Sequence, residues 1–251
     1  MSDTIIYSRS GHIGWLRLNK PAVHNSLGRS DLLAMTVCLG EIAADSSIRA
    51  LIVTGTGDKT FCAGAALNEL SAGEISGDSF QKVTRLLAGL DIPTICAING
   101  NVFGAGVELA LSCDFRIGVE GSRMRVPAAA LGLCYPVEGI QRFVERLGPG
   151  VSKRLLIAAE QLGAAEMLSI GFLDYLVPAD QLGEKSETQA QRIAELAPLA
   201  VRAMKKIVAA ASVLAVSGEA DELSKQCLAS DDLKEGFAAQ KEKRKPVFVG
   251  R

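Results

Sequence analysis

Two short stretches of this chain share one skeleton. Phe61-Cys62-Ala63-Gly64-Ala65-Ala66-Leu67 and Phe103-Gly104-Ala105-Gly106-Val107-Glu108-Leu109 both read F-x-A-G-x-x-L. Each comes after a short apolar run of strand length, Arg49 to Thr54 and Pro93 to Ile98. A chain that twice leaves a buried strand through a turn of small residues is held to a narrow set of folds. Such turns let backbone approach backbone or ligand closely, and a matched pair can aim two N–H groups at one point. The second stretch also sets a carboxylate, Glu108, among Val107, Leu109 and Ala110. An ionisable group in such company is not buried without a partner or a task.

The rest of the chain sets these turns in an α/β frame. Thr4–Tyr7 and Ile13–Leu18 alternate across Ser8-Arg9-Ser10-Gly11 and read as a hairpin. Helical spacing predicts a helix over 26–44, and others over 79–90 and 107–112. Arg49–Thr54, Pro93–Ile98, Asp114–Gly118 and Arg123–Val126 read as strands. Single buried strands alternating with helices indicate a mostly parallel sheet. After Val137 the pattern is helical: 137–147, 151–158 and 164–170, a last strand over 173–177, then 181–196, 200–216 and 231–243. The expected division is a core over 1–195 and a helical region over 196–251, whose amphipathic faces pack on the core and on a neighbouring subunit.

Several function classes drop out. The net charge of −1 gives no general attraction to nucleic acid or membrane, and Lys241–Lys245 is a short basic run in a neutral protein. No apolar run reaches the roughly 20 residues of a membrane span. The opening MSDTIIYSRS lacks a basic stretch leading into an apolar one, so no signal peptide is expected. Six scattered cysteines without a CxxC pair indicate a reducing, cytoplasmic setting and no metal. His12 and His24 lack partners at ligand spacing. Gly104-Ala105-Gly106-x-x-Leu109 fails as a dinucleotide fingerprint, because Leu109 fills the third glycine's place and the next strand arrives too soon.

Several motifs in order carry a resemblance. Leu18-Asn19-Lys20-Pro21 with Asn25, the two turns, Asn99-Gly100, Cys113-Asp114, Leu131-Gly132, Gly139-x-Gln141-Arg142, and Ser230 to Gly236 running on to Lys245 together resemble the crotonase (enoyl-CoA hydratase/isomerase) superfamily. The resemblance implies an α/β fold, a spiral of ββα units with a C-terminal helical trimerisation region. It also implies a coenzyme A thioester as substrate, no separate cofactor, a homotrimer or dimer of trimers, and a place in fatty acid metabolism. The Ala65 and Ala105 N–H groups would hold the thioester oxygen, and Glu108 would be a catalytic acid/base. Val23, His24, Ala63, Ala65, Ala66, Leu67, Asn68, Ala105 and Lys243 would meet the acyl-CoA.

The chain also departs from that pattern. A hydratase's second catalytic glutamate follows a proline, and after Pro127 stands Ala128. Glu138 is the candidate replacement, or else a first-turn glutamate favoured by the helix dipole; Tyr135 is a candidate ligand contact. Ala66 and Asn68 stand where relatives carry Asp and Lys, and Gln240 where they carry Phe. Three readings follow: reversible hydration of a 2-enoyl-CoA as the leading one, 3,2-enoyl-CoA isomerisation with a single carboxylate, and a non-catalytic acyl-CoA binder.

Overall fold

The computed structural model describes residues 3–196, 198–212, 229–244 and 246–247. The larger sheet runs β1-β2-β3-β5-β7-β10. It comprises β1 (Ile5–Ser10), β2 (Ile13–Leu18), β3 (Ala50–Gly55), β5 (Thr94–Ile98), β7 (Phe115–Val119) and β10 (Tyr175–Val177). β1 and β2 form the expected antiparallel hairpin; beyond it every pairing is parallel. Parallel strands are covered on both faces, which is why these segments read as unbroken apolar runs. One face, including Leu16, Leu51, Val53 and Cys96, belongs to the main core. The other, including Ile13, Ile52, Ile95 and Ile117, packs against Leu182 and Ala190 of α7 (Leu182–Ala194).

A second sheet, β4-β6-β8-β9, is made of three-residue strands: β4 (Thr60–Cys62), β6 (Asn101–Phe103), β8 (Arg123–Arg125) and β9 (Gln161–Gly163). Only β8 was anticipated, since three residues are too few to show alternation. Its discovery gives the winding its logic. β3, β5 and β7 each pass to a strand of the small sheet and then to helix: α2 (Leu67–Ser71) with α3 (Gly77–Ala88), α4 (Ala105–Leu111), and α5 (Val137–Leu156). The three turns into helix therefore leave one small sheet. α5 joins two expected helices through a break at Gly148, where φ is 71°, followed by Pro149. α6 (Ala164–Ser169) precedes β10.

Toward the C-terminus lie α8 (Pro198–Ser212) and α9 (Asp231–Lys241); the last part, 213–216, of the helix expected over 200–216 falls outside the described residues. α9 rests on the loop at Ala129–Leu131, so closely that a Cβ at Gly236 would lie 1.9 Å from the Leu131 carbonyl oxygen. No described helix is long and apolar enough to cross a membrane.

α1 (Arg29–Ala44) starts three residues later than periodicity predicts, because Leu27 runs extended beside the first turn. Asp31 fixes this approach. Its buried carboxylate accepts from Thr4 Oγ1 at 2.6 Å, Lys20 Nζ at 2.7 Å and the Gly28 N–H at 2.8 Å. Burial pushes this carboxyl up, but the three donors and the Lys20 charge outweigh it and hold the carboxyl below its ordinary value. A depressed folded value stabilises above the unfolded value of about 3.9 and is lost as pH falls through the folded one. We expect Asp31→Asn to cost about 1–3 kcal/mol at neutral pH. Urea midpoints measured there and at about pH 3 should show the gap to wild type narrowing on acidification. A gap that widens would refute the assignment.

Candidate active site

β4 and β6 are parallel neighbours, so the turns that follow them leave the sheet side by side. In each, a glycine with positive φ reverses the chain: Gly64 at 89° and Gly104 at 52°. The next residues are Ala65 and Ala105, the latter opening α4. The turns are in contact. A Cβ at Gly64 would lie 2.8 Å from the Ala105 nitrogen and 3.0 Å from the Phe103 oxygen, and one at Gly106 would lie 2.5 Å from the Cys62 oxygen. Leu27 brackets the first turn, donating to Gly64 O at 2.8 Å and accepting from Ala66 N at 2.9 Å. This leaves the Ala65 N–H between two committed neighbours. Among the described residues no backbone acceptor takes the N–H of Ala65 or Ala105. Structural equivalence therefore pairs Gly64-Ala65 with Gly104-Ala105, two positions away from the register of the shared F-x-A-G-x-x-L skeleton.

Glu108 stands three residues into α4 from Ala105, on the same helix face, and is 1% exposed. Its Oε1 accepts from Gln81 Nε2 at 2.8 Å and lies 3.3 Å from Thr84 Oγ1 and 3.5 Å from Arg142 Nη1. Among the described residues no donor meets Oε2. Burial raises the Glu108 pKa above the usual glutamate value; Arg142, Gln81 and Thr84 pull against this without cancelling it, and the Glu138 charge adds to it. A carboxyl tuned upward in this way both takes and gives a proton nearer neutrality.

Both turns and Glu108 line one cavity of about 330 Å³. Its walls are largely apolar, with Leu67, Leu70, Ile75, Phe80, Leu131 and Leu133, and Gln81, Tyr135 and Gln240 also reach it. Among the described residues no Lys, Arg or His lines it. Tyr135 is buried, edge-on to Phe143 with ring centres 5.8 Å apart. Burial, with the Glu108 charge, pushes its phenol well above the ordinary value, so it stays a donor. Ala128 is buried in the wall and offers no proton-transferring group.

Of the residues expected to meet acyl-CoA, Ala63, Ala65, Leu67 and Ala105 line this cavity. Ala66 is buried beside it, and Asn68 sits exposed on α2. Val23 and Lys243 are exposed outside it. His24, whose Nδ1 is 2.9 Å from Thr60 Oγ1, lines a neighbouring hollow of about 520 Å³ that shares Ala63 and Phe103 with the first. The expectation for Glu138 requires correction. Its half-exposed carboxylate is clasped by Arg85 Nη2 at 2.7 and 2.9 Å and does not line the cavity. The first turn of α5 points it outward. Gln81, Thr84 and Arg142 are the partners that residue patterns left unassigned. The available signal was two polar residues, three apart, on the buried face of α3 among Phe80, Val83 and Leu87.

Ala65 and Ala105, whose N–H groups take no backbone acceptor among the described residues, line one apolar cavity together with the buried carboxylate of Glu108, an arrangement able to stabilise charge developing on a carbonyl oxygen and to move a proton beside it. The enoyl-CoA hydratase/isomerase family model matches residues 8–251, and the chain belongs to that family. It is 36% identical to the crotonyl-CoA hydratase of Syntrophomonas wolfei over 261 residues, covering 99% of each chain. Among solved structures it is similar to a methylmalonyl-CoA decarboxylase, with TM-score 0.91, 26% identity and full coverage of both chains. It is also similar to an enoyl-CoA hydratase from Bacillus anthracis, with TM-score 0.80, 30% identity and 99% and 100% coverage. The spiral ββα architecture described above is the crotonase fold of these neighbours.

Gly64 tests the donor pair. Its positive φ and the 2.8 Å approach to the Ala105 nitrogen leave no room for a methyl group. Gly64→Ala should push the turns apart and lower kcat about 100-fold, the scale of one lost oxyanion donor, with the far-UV circular dichroism retained. Wild-type turnover in this variant would refute the assignment.

Proposed function

We propose that the protein catalyses reversible hydration of a 2-enoyl-CoA with a short apolar acyl group. The observation that carries this is one buried carboxylate in the cavity, Glu108, with one oxygen that no donor among the described residues meets, three residues from one of two N–H groups that no backbone acceptor among the described residues takes. The thioester oxygen accepts from the Ala65 and Ala105 N–H groups. Glu108 Oε2 removes a proton from water as the water oxygen bonds to C3, and the double-bond electrons move into an enolate held by those donors. The protonated Glu108 then gives its proton to C2. One O–H bond breaks, C3–O and C2–H bonds form, and Glu108 returns to its starting state. Preorganised backbone donors need no reorientation as charge arrives. A wall that shows no Lys, Arg or His among the described residues favours an uncharged acyl group. The crotonyl-CoA hydratase relative supports a short one.

A second reading is favoured by Ala128 and by the closer backbone agreement with the decarboxylase than with the hydratase. Loss of CO2 from a 2-carboxyacyl thioester also leaves a thioester enolate, one without a 3-hydroxyl; it activates no water and needs one proton at C2. Double-bond isomerisation likewise needs one carboxylate. Incubation with crotonyl-CoA, 3-butenoyl-CoA and methylmalonyl-CoA, read by mass and absorbance, separates the three. Water gained by crotonyl-CoA is the expected result, with Glu108→Gln slowing it about 10²–10⁴-fold. CO2 lost from methylmalonyl-CoA without hydration would replace the leading reading with the second.

The coenzyme A portion is assigned to the cavity mouth and the neighbouring hollow, where Lys59 and Arg123 supply cations for phosphate. Val23, Asn68 and Lys243 are its outer contacts in this reading. A cytoplasmic setting is supported by the thiols of Cys38, Cys62, Cys96 and Cys113, which form no disulfide. On α8, Met204, Ile207 and Val208 are exposed at 58, 67 and 68%, a face suited to a second copy of the chain in a trimer. Light scattering should return a multiple of three protomers, and a monomer mass would refute this.

A further inference from the structure

We propose that Gln81 is a positioning residue that makes Oε2 of Glu108 the proton-transferring atom. The inference rests on the preceding reading only in taking Glu108 as the acid/base.

Gln81 is 4% exposed and reaches Glu108 from α3. Its Nε2 lies 2.8 Å from Glu108 Oε1, the shortest hydrogen bond that carboxylate receives among the described residues. The Thr84 hydroxyl, at 3.3 Å from the same oxygen, is also 3.2 Å from the backbone carbonyl oxygen of Gln81 and divides between them. Arg142 Nη1, at 3.5 Å, contributes charge more than a directed bond. The amide orientation follows from this contact, since turning it over would set two oxygens against each other. Gln81 Oε1 must then face away, and it is a buried oxygen with no hydrogen-bond partner among the described residues. An orphaned buried oxygen is a cost. What offsets it is the work done at the other end of the amide.

All three groups converge on Oε1. When Glu108 is protonated, its proton resides on Oε2, because Oε1 already accepts. Gly139 helps keep Oε2 unobstructed, for a Cβ there would lie 3.0 Å from it and 3.1 Å from Gln81 Nε2. α3 thus locks the carboxylate's rotation.

The charged and titratable groups around Glu108 are Arg142 and Glu138 from α5 and Tyr135 from the loop before it, with neutral Gln81 and Thr84 on α3. The test compares wild type with Gln81→Met, close in size but without a donor, and Gln81→Glu, a donor only when protonated. Gln81→Met should lower kcat about 10- to 100-fold with KM nearly unchanged. Its acid limb should move to higher pH, because a donor to the ionised form has gone. Gln81→Glu should recover much of the loss at low pH, where the two carboxyls share a proton, and lose it as pH rises and they repel. Equal losses in both variants at every pH would reduce Gln81 to packing and overturn the proposal, as would a Gln81→Met profile that overlays wild type. Carbon-13 titration of Glu108 in wild type and Gln81→Met reads the same effect without turnover, with a higher midpoint expected in the variant and an unchanged one overturning the idea. If wild type transforms none of the three thioesters, the proposed function fails and this titration alone decides the role of Gln81.

Discussion

Gly64 and the Ala105 nitrogen meet across a gap that would leave a side-chain carbon only 2.8 Å from that nitrogen. The site depends on that closeness. Neighbouring strands are spaced at about 4.8 Å, so two turns leaving β4 and β6 can present N–H groups to a single atom only if nothing intervenes. Larger elements serve this contact. The big sheet fixes where β3 and β5 deliver the chain to the small one. Asp31 and Asn25 hold the approach to Leu27, with the Asn25 amide bonded to Lys20 N and to the Thr56 and Thr60 carbonyls. Leu27 in turn engages the groups on either side of the Ala65 N–H.

The charge arrangement follows the same economy. Among the described residues the cavity lining holds one carboxylate and no cation; Arg142, 3.5 Å from Glu108, is not part of that lining. On the hydration reading, when Glu108 takes a proton, negative charge leaves Oε2 and appears on the thioester oxygen facing Ala65 and Ala105. The cavity's net charge is unchanged through the step, so an apolar wall is not asked to accept a second charge. An uncompensated additional anion there would be costly.

How legible this was varies with the length of the signal. The hairpin and the buried parallel strands were plain because their apolar runs span five or six residues. The small sheet was not, although it carries both turns, since each strand is three residues long. The repeated F-x-A-G-x-x-L skeleton pointed to the right stretches but in the wrong register, because backbone φ and not residue identity sets the equivalence: Gly64 matches Gly104, and Gly106 serves close packing on Cys62. At the site, Glu108, Ala65 and Ala105 were identified as candidates. Glu138 was chosen as a nearby visible acid, while the partners of Glu108 are an amide, a hydroxyl and a guanidinium from distant helices. Which way a first-turn side chain points, and that Arg85 waits for Glu138, are facts of tertiary packing.

Ala128 sharpens what remains. Where two carboxylates share the work of hydration, one can activate water while the other supplies the proton, and the two need not lie on the same side of the substrate. On the hydration reading, with Ala128 in the wall, Glu108 Oε2 does both. An atom fixed by Gln81, and three residues from the Ala105 donor, approaches the bound thioester from one side only. On the hydration reading the hydroxyl at C3 and the proton at C2 therefore arrive on the same face. The stereochemical course is written into a hydrogen bond to the oxygen that does not react.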